Sequence, residues 1–316
     1  MAIHKIADNM RVGPPVLRVR NIENMLAFYE SSLGLQVNRS YKCNNSGNDT
    51  HGDGDYPIYE LGFKNNNYSS PYEPLLILKH DPDAVMRPLH SGRIAAGLFH
   101  FAIVVPDRKS LALTYLAVKN SGIRYDGFAD HLVSESLYLR DPEDNGIEIY
   151  RDRPSNEWPR NIEGQIMMNT LTLDLNSLLA EITTEELKDN ANKAFPTGAR
   201  IGHIHLRVTS LERSIKFYHQ KIGLDITVDW SSMGAAFLSA GGYHHHIGMN
   251  TWFSLNGKGH LDGEAGLDYF TLIIPDRPFV NSLASRMRST NESKQINRNQ
   301  LLVSDPDGIP ILIRSS

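Results

Sequence analysis

The sequence predicts an α+β fold in which four βαβββ modules pair into two half-open β-barrels. Three observations carry that expectation. The run Leu17-Arg18-Val19-Arg20-Asn21-Ile22-Glu23, continuing to Phe28-Tyr29 and Gly34-Leu35, recurs at a constant offset as Leu206-Arg207-Val208-Thr209-Ser210-Leu211-Glu212, continuing to Phe217-Tyr218 and Gly223-Leu224. The run Phe101-Ala102-Ile103-Val104-Val105-Pro106-Asp107-Arg108 recurs as Phe270-Thr271-Leu272-Ile273-Ile274-Pro275-Asp276-Arg277. An Asp141-Pro142 turn ending at Gly146 recurs as Asp305-Pro306 ending at Gly308. Repetition on this scale marks one supersecondary unit used several times. A unit of one helix on one small sheet cannot cover both sheet faces, so units must pair.

Each element follows from local pattern. In the first module Ile22, Leu26, Tyr29 and Leu33 form one helix face, and Leu211, Ile215, Tyr218 and Ile222 repeat it in the third. Asn21 and Ser210 are good N-caps, and Gly34 and Gly223 are good C-terminal stops. In modules two and four, Asp107 and Asp276 follow a proline and can cap a helix. Leu111, Tyr115 and Val118 then make one apolar stripe, and Val280, Ala284 and Met287 the other. Strands are expected at Glu135 to Arg140 and Ile147 to Tyr150, and at Gln300 to Ser304 and Pro310 to Arg314. The first module ends in Leu75-Leu76-Ile77-Leu78 and the third in a strand through Tyr243 to Met249. Polar inserts at Asn44 to Asp55 and Lys64 to Tyr72 read as loops. Residues 10–151 are thus expected as an N-terminal domain of modules one and two, and 201–316 as a C-terminal domain of modules three and four. The linker, 152–200, carries Pro154, Trp158, Pro159 and a short acidic helix around Leu178 to Leu187.

Composition narrows the function. The chain has 316 residues, 41% of them hydrophobic and 22% charged, in the range of ordinary soluble proteins. A net charge of −4 supplies no basic stripe for nucleic acid. No apolar run approaches the ~20 residues that span a bilayer, and no apolar signal region follows Met1-Ala2-Ile3-His4-Lys5, so no membrane partner and a cytoplasmic location are expected. A single cysteine, Cys43, excludes an internal disulfide and a cysteine-based zinc site, and reads as a bystander. Assembly into a homo-oligomer is left open.

Candidate chemistry is unevenly spread over the copies. Val16, His100, His205 and Tyr269 stand immediately before the matched strands. Aligning the two Asp-Pro turns sets Glu148 against Leu312. Module three carries the triplet His244-His245-His246, where module one has only apolar residues. Modules two and three therefore hold the ionisable groups. Glu148 lies between Ile147 and Ile149, and a buried carboxylate there needs a partner, a proton or a metal. Two neutral imidazoles and a carboxylate suit divalent iron and leave positions for other donors. His203, two residues before His205 and on the same strand face, is a secondary candidate. In a strand, His245 would face opposite to His244 and His246, so one could bind metal and another move protons. His131, Ser134, Ser136 and Tyr138 precede Glu148 and could line the same cup. There is no Gly-rich phosphate loop and no Gly-x-Ser-x-Gly elbow.

The segments His131-x-x-Ser134-Glu135-Ser136-Leu137-Tyr138-Leu139-x-Asp141-Pro142-x-x-Asn145-Gly146-Ile147-Glu148-Ile149-Tyr150, then Asp152-Arg153-Pro154, and Gly202-His203-Ile204-His205-Leu206 with Gly241 to Gly248, resemble the vicinal oxygen chelate superfamily. Within it the chain looks most like two-domain, catechol 2,3-dioxygenase-like ring-cleavage proteins. The resemblance implies a non-haem Fe(2+) centre of two histidines and one glutamate, a small aromatic diol substrate and O2. It matches His100 and His205 to the first-strand ligands and Glu148 to the last-strand ligand. It matches Tyr138 and His131 to groups behind the ligands. It makes His245 the acid–base histidine, with His244 and His246 as alternative acid–base groups or ligands. In one respect the chain departs from the family. Familiar extradiol enzymes take their ligands from modules three and four, but module four here offers only Tyr269 and Leu312. The site is therefore expected to straddle modules two and three, with module one pairing with module four, or to form from an intermolecular equivalent of that pairing. A glyoxalase-type isomerase or lyase, using Mn(2+), Zn(2+) or Ni(2+), is the alternative enzyme reading, and a non-catalytic small-molecule-binding protein is the third.

Overall fold

The computed structural model describes residues 5–42, 56–63, 73–86, 95–189, 196, 198–287, 293–297 and 299–315. Cys43 and the inserts 44–55 and 64–72 lie outside them. Module one comprises β1 (Arg11–Val12), β2 (Val16–Val19), α1 (Ile22–Leu33), β3 (Gln36–Lys42), β4 (Pro57–Gly62) and β5 (Leu76–His80). Module two is β6 (Gly97–Val105), α2 (Arg108–Asn120), β7 (Tyr125–Asp130), β8 (Ser134–Arg140) and β9 (Gly146–Asp152). Among its described residues the connection holds a single 3-10 turn (Ser155–Glu157) and two short α-helices, α3 (Leu175–Leu179) and α4 (Thr184–Asp189), where the sequence suggests one helix. Module three is β10 (Arg200–Arg207), α5 (Leu211–Lys216), β11 (Asp225–Trp230), β12 (Ala235–Ser239) and β13 (Ile247–Asn250). Module four is β14 (Gly266–Ile273), α6 (Arg277–Met287), β15 (Ser293–Asn297), β16 (Gln300–Ser304) and β17 (Pro310–Arg314).

The strands form two mixed sheets, and each joins one module from the first half of the chain to one from the second. One runs β15-β16-β17-β14-β2-β5-β4-β3 and joins modules four and one. The other runs β11-β12-β13-β10-β6-β9-β8-β7 and joins modules three and two. In each sheet the two first strands meet antiparallel at the centre, β14 on β2 and β10 on β6. Each first strand lies parallel to the last strand of its own module. Ligand-bearing first and last strands of modules two and three are thus neighbours.

Caps act where the sequence places them. The Asn21 side chain accepts from Asn24 N at 3.0 Å, and Asp107 accepts from Ser110 N at 2.7 Å. Asp276 accepts from Phe279 N at 2.9 Å. Each such cap stabilises its helix by about 1 kcal/mol. Gly34 and Gly223 adopt the left-handed conformation that ends their helices. The last turn of the third-module helix, Phe217–Ile222, widens to a π-helix. The apolar helix stripes, including Leu111 and Val118 of α2 and Val280 and Met287 of α6, are buried in one continuous core with the sheets. A second small cluster, Val16, Ile58, Ile77, Tyr269 and Leu312, fills the inner face of the module one–four sheet.

Candidate metal centre and cavity

The site is built on three adjacent strands. Cα partners across β6 and β10 are His100 with His205, and Ala102 with His203. Across β6 and β9, Ala102 pairs with Glu148. Strand alternation turns His100, His203, His205 and Glu148 to one face. Gly146 sits opposite His100, and a Cβ there would collide with the Phe99 carbonyl and lie 3.0 Å from His100 Cβ. Glycine at 146 therefore lets β9 close on the histidine.

His100, Glu148 and His203 each bring one donor atom to a common point, all within 4.8 Å of one another. His100 Nε2 and His203 Nε2 lie 2.9 Å and 3.0 Å from Glu148 Oε2. The other carboxylate oxygen, Oε1, accepts from Ser136 Oγ at 2.6 Å. All three donor residues are buried, and His100 Nε2, though 2.9 Å from Glu148 Oε2, makes no well-formed hydrogen bond among the described residues. A buried nitrogen so placed beside a carboxylate is costly unless a cation completes it. Burial works to raise the Glu148 carboxyl, but His203 and His100 outweigh it and hold the group well below the usual carboxylate range. Burial, with His100 and His244 nearby, outweighs the Glu148 carboxylate and lowers His203, which favours the neutral ring that a metal ligand needs.

A cavity of about 310 Å³ opens over this group. Its walls include Phe99, Trp230, Phe237, Trp252 and Met168, and its polar lining includes His131, Tyr138, Thr170, His205 and His245. Tyr138 stands opposite Glu148 across β8 and β9. His131 Nδ1 lies 2.8 Å from the Asn169 carbonyl, so Nδ1 donates and Nε2 accepts from the Tyr138 hydroxyl at 2.7 Å. Burial and the Glu148 charge push the Tyr138 hydroxyl well up, so it stays a donor. Trp252 is 51% exposed and packs on Phe99 at the mouth.

A family model described as the Glyoxalase/Bleomycin resistance protein/Dioxygenase superfamily matches residues 11–149 and 200–313. The chain belongs to this superfamily. A Bacillus subtilis (strain 168) protein named catechol-2,3-dioxygenase is 36% identical over 301 residues, 95% of each chain. Among solved structures, glyoxalase I from Zea mays shares 15% identity at a TM-score of 0.54, covering 97% of this chain and 92% of its own. A second Bacillus subtilis protein shares 12% identity at a TM-score of 0.62, covering 98% of this chain and 86% of its own. At these identities the structures bear on the fold alone.

The strand order of the module two–three sheet is symmetric about the central β10–β6 pair, which tells which residues are equivalent. Because His100 pairs with His205 and Ala102 with His203, His100 is equivalent to His203 and His205 to Ala102. The donor cluster follows that symmetry: His203 joins it, and His205, the residue expected from sequence, does not. His205 Nε2 instead lies 3.0 Å from Asn250 Nδ2, and its ring stands 4.8 Å from that of His100 as part of the cavity wall. By the same symmetry, Glu148 is equivalent to Gly248, which pairs with His205. A Cβ on Gly248 would lie 2.8 Å from His205 Nδ1, so the His205 ring occupies the place of a fourth ligand's side chain. In the module one–four sheet the matching positions are Tyr269, Leu312 and Ile77, which form the apolar plug.

The histidine triplet does not lie in a strand. It occupies the turn before β13, so strand alternation does not govern it. His245 lines the cavity, with its ring 4.1 Å from that of His203. His246 turns away: its Nδ1 accepts from Ser239 Oγ at 2.8 Å, and burial lowers its pKa to about 3. His244 is fully buried, bonded to Asp152 and His245 rather than placed in the donor cluster. Met168, Asn169 and Thr170 come from the connection, whose lack of repeat features concealed its part in the site.

Proposed function

We propose that the protein is an Fe(II)-dependent extradiol dioxygenase that opens the ring of a catechol or hydroquinone-like aromatic with O2. The observation that carries this reading is the donor set. Two imidazoles and one carboxylate converge, and the fourth symmetric position is Gly248. Such a triad suits Fe(II) and leaves positions for a chelating diol and oxygen. The 36% identity to a protein named catechol-2,3-dioxygenase supports the same class. A glyoxalase-type site would favour a glutamate where Gly248 stands, and a binding protein would have no need of the buried triad.

His100, Glu148 and His203 would hold the iron, and Ser136 fixes the carboxylate through Oε1. Bound iron supplies Lewis acidity and the redox chemistry that lets an aromatic diol and O2 react. Phe99, Trp230, Phe237 and Trp252 offer faces and edges on which an aromatic ring packs and from which water is excluded. His245 takes a diol proton and later returns it. Tyr138, oriented by His131, presents its hydroxyl beside the carboxylate. Anaerobic loading with Fe(II), addition of catechol and admission of oxygen should consume one O2 per ring opened and yield a coloured product. Iron-loaded protein that leaves every catechol and hydroquinone intact would contradict the reading and favour the isomerase class.

A further inference from the structure

The contacts of His244 have a consequence beyond the metal centre. His244 Nε2 lies 2.7 Å from Asp152 Oδ1, and His244 Nδ1 lies 2.8 Å from His245 Nδ1. An ionised carboxylate can only accept, so the proton between Asp152 and His244 sits on His244 Nε2. With its ring neutral and Nε2 protonated, His244 has a lone pair on Nδ1, and His245 Nδ1 is then the donor to it. His245 Nε2 is then the basic nitrogen, and it hydrogen-bonds to no described residue. The His245 ring lines the cavity.

The chain of contacts is built into the fold. Asp152 ends β9, four residues after Glu148, while His244 precedes β13, so the contact spans modules two and three as the ligands do. The Tyr243 hydroxyl donates to Asp152 Oδ2 at 3.0 Å and lies 2.7 Å from the Tyr150 hydroxyl. Tyr243 and Trp158 pack on the His244 ring at 4.1 Å and 5.2 Å and fix its plane.

We infer that Asp152 and His244 are positioning residues that lock His245 with Nδ1 protonated and Nε2 basic toward the cavity. The catalytic consequence rests on the ring-cleavage reading; the tautomer itself does not. In that reaction a diol O–H bond breaks, its electron pair stays on the diol oxygen, and the proton binds His245 Nε2. The resulting imidazolium is stabilised through His244 by the Asp152 carboxylate, which keeps its charge. The proton then returns to the ring-opened product.

Long-range 1H–15N spectra of the metal-free, histidine-labelled protein read the tautomer directly, with the His245 signals assigned by their loss in His245→Gln. The unaltered protein should show Nδ1-protonated His245, and Asp152→Ala should move it to the Nε2-protonated form. The same variant, loaded with iron, should lose about 10²–10⁴-fold in kcat for catechol, the range of a general base, with KM and iron content held. Asp152→Asn keeps an Oδ1 that accepts from His244 and should retain the tautomer, while turnover stays low because the charge that stabilises the imidazolium is gone. Nε2-protonated His245 in the unaltered protein, or an unchanged tautomer in folded Asp152→Ala, would overturn the inference. Nδ1-protonated His245 in a protein that opens no ring would support the tautomer lock while removing the ring-cleavage reading.

Discussion

Glu148 is fixed through both its oxygens. Oε2 faces His100 and His203, and Oε1 accepts from Ser136 Oγ, which is itself fully buried. Ser136→Ala would leave Oε1 without that donor and free the carboxylate to rotate. Iron affinity should fall about 10–100-fold, the usual effect of losing a group that orients a ligand, as read by titration against a competing chelator. An affinity equal to that of the unaltered protein would show that Ser136 does not orient the ligand. Glu148 was legible in sequence because a carboxylate between Ile147 and Ile149 has no place in an apolar strand. His203 was harder to see because modules one and three were matched on one run of residues and modules two and four on another. Counting back from the helix caps removes the ambiguity: His100 stands seven residues before Asp107, and His203 seven before Ser210. Irregularities in the β6–β10 register, between Ile201 and His203 and between His205 and Leu206, lie on either side of the two histidines.

At the level of elements, the four module helices were readable because each has a capping side chain and an apolar stripe. The turn before β13 was not, since three histidines carry no signal for leaving a strand. Among the turns, the repeated Asp-Pro pair has a role beyond closing a hairpin. Tyr29 donates to Asp141, and Tyr218 to Asp305, tying modules one to two and three to four. Burial raises Asp141 to about 6 and Asp305 to about 7, against the hydrogen bonds that each accepts. Both pKa values lie above the unfolded value of 3.8, so their contribution to stability is complete below that pH. It is lost as the pH rises through about 6 for Asp141 and about 7 for Asp305. Asp305→Asn carries no titrating proton at this position. Its unfolding free energy should therefore vary less with pH than that of the unaltered protein between about pH 5 and about pH 8. Equal slopes in urea titrations across that range would contradict the assignment.

At the level of the whole molecule, each sheet takes one module from either side of the 152–200 connection. The sequence pointed to this through an absence, because module four offers Tyr269 and Leu312 where a ligand would be needed. The walls of the cavity were not legible, since Phe99, Trp230, Phe237 and Trp252 converge from separate strands and loops and resemble ordinary core residues one at a time. We propose the ranges 10–151 and 201–316 as the N-terminal and C-terminal domains of the chain, with the metal centre shared between them. The central claim is that a single iron is held across the two halves by His100, Glu148 and His203, with His205 beside it as cavity wall. Its most direct test is the iron retained per chain after anaerobic Fe(II) loading and desalting of the unaltered protein, His203→Ala and His205→Ala. The account predicts one iron per chain in the unaltered protein and in His205→Ala, and loss of iron in His203→Ala. Stoichiometric iron in His203→Ala, or its loss in folded His205→Ala, would contradict it.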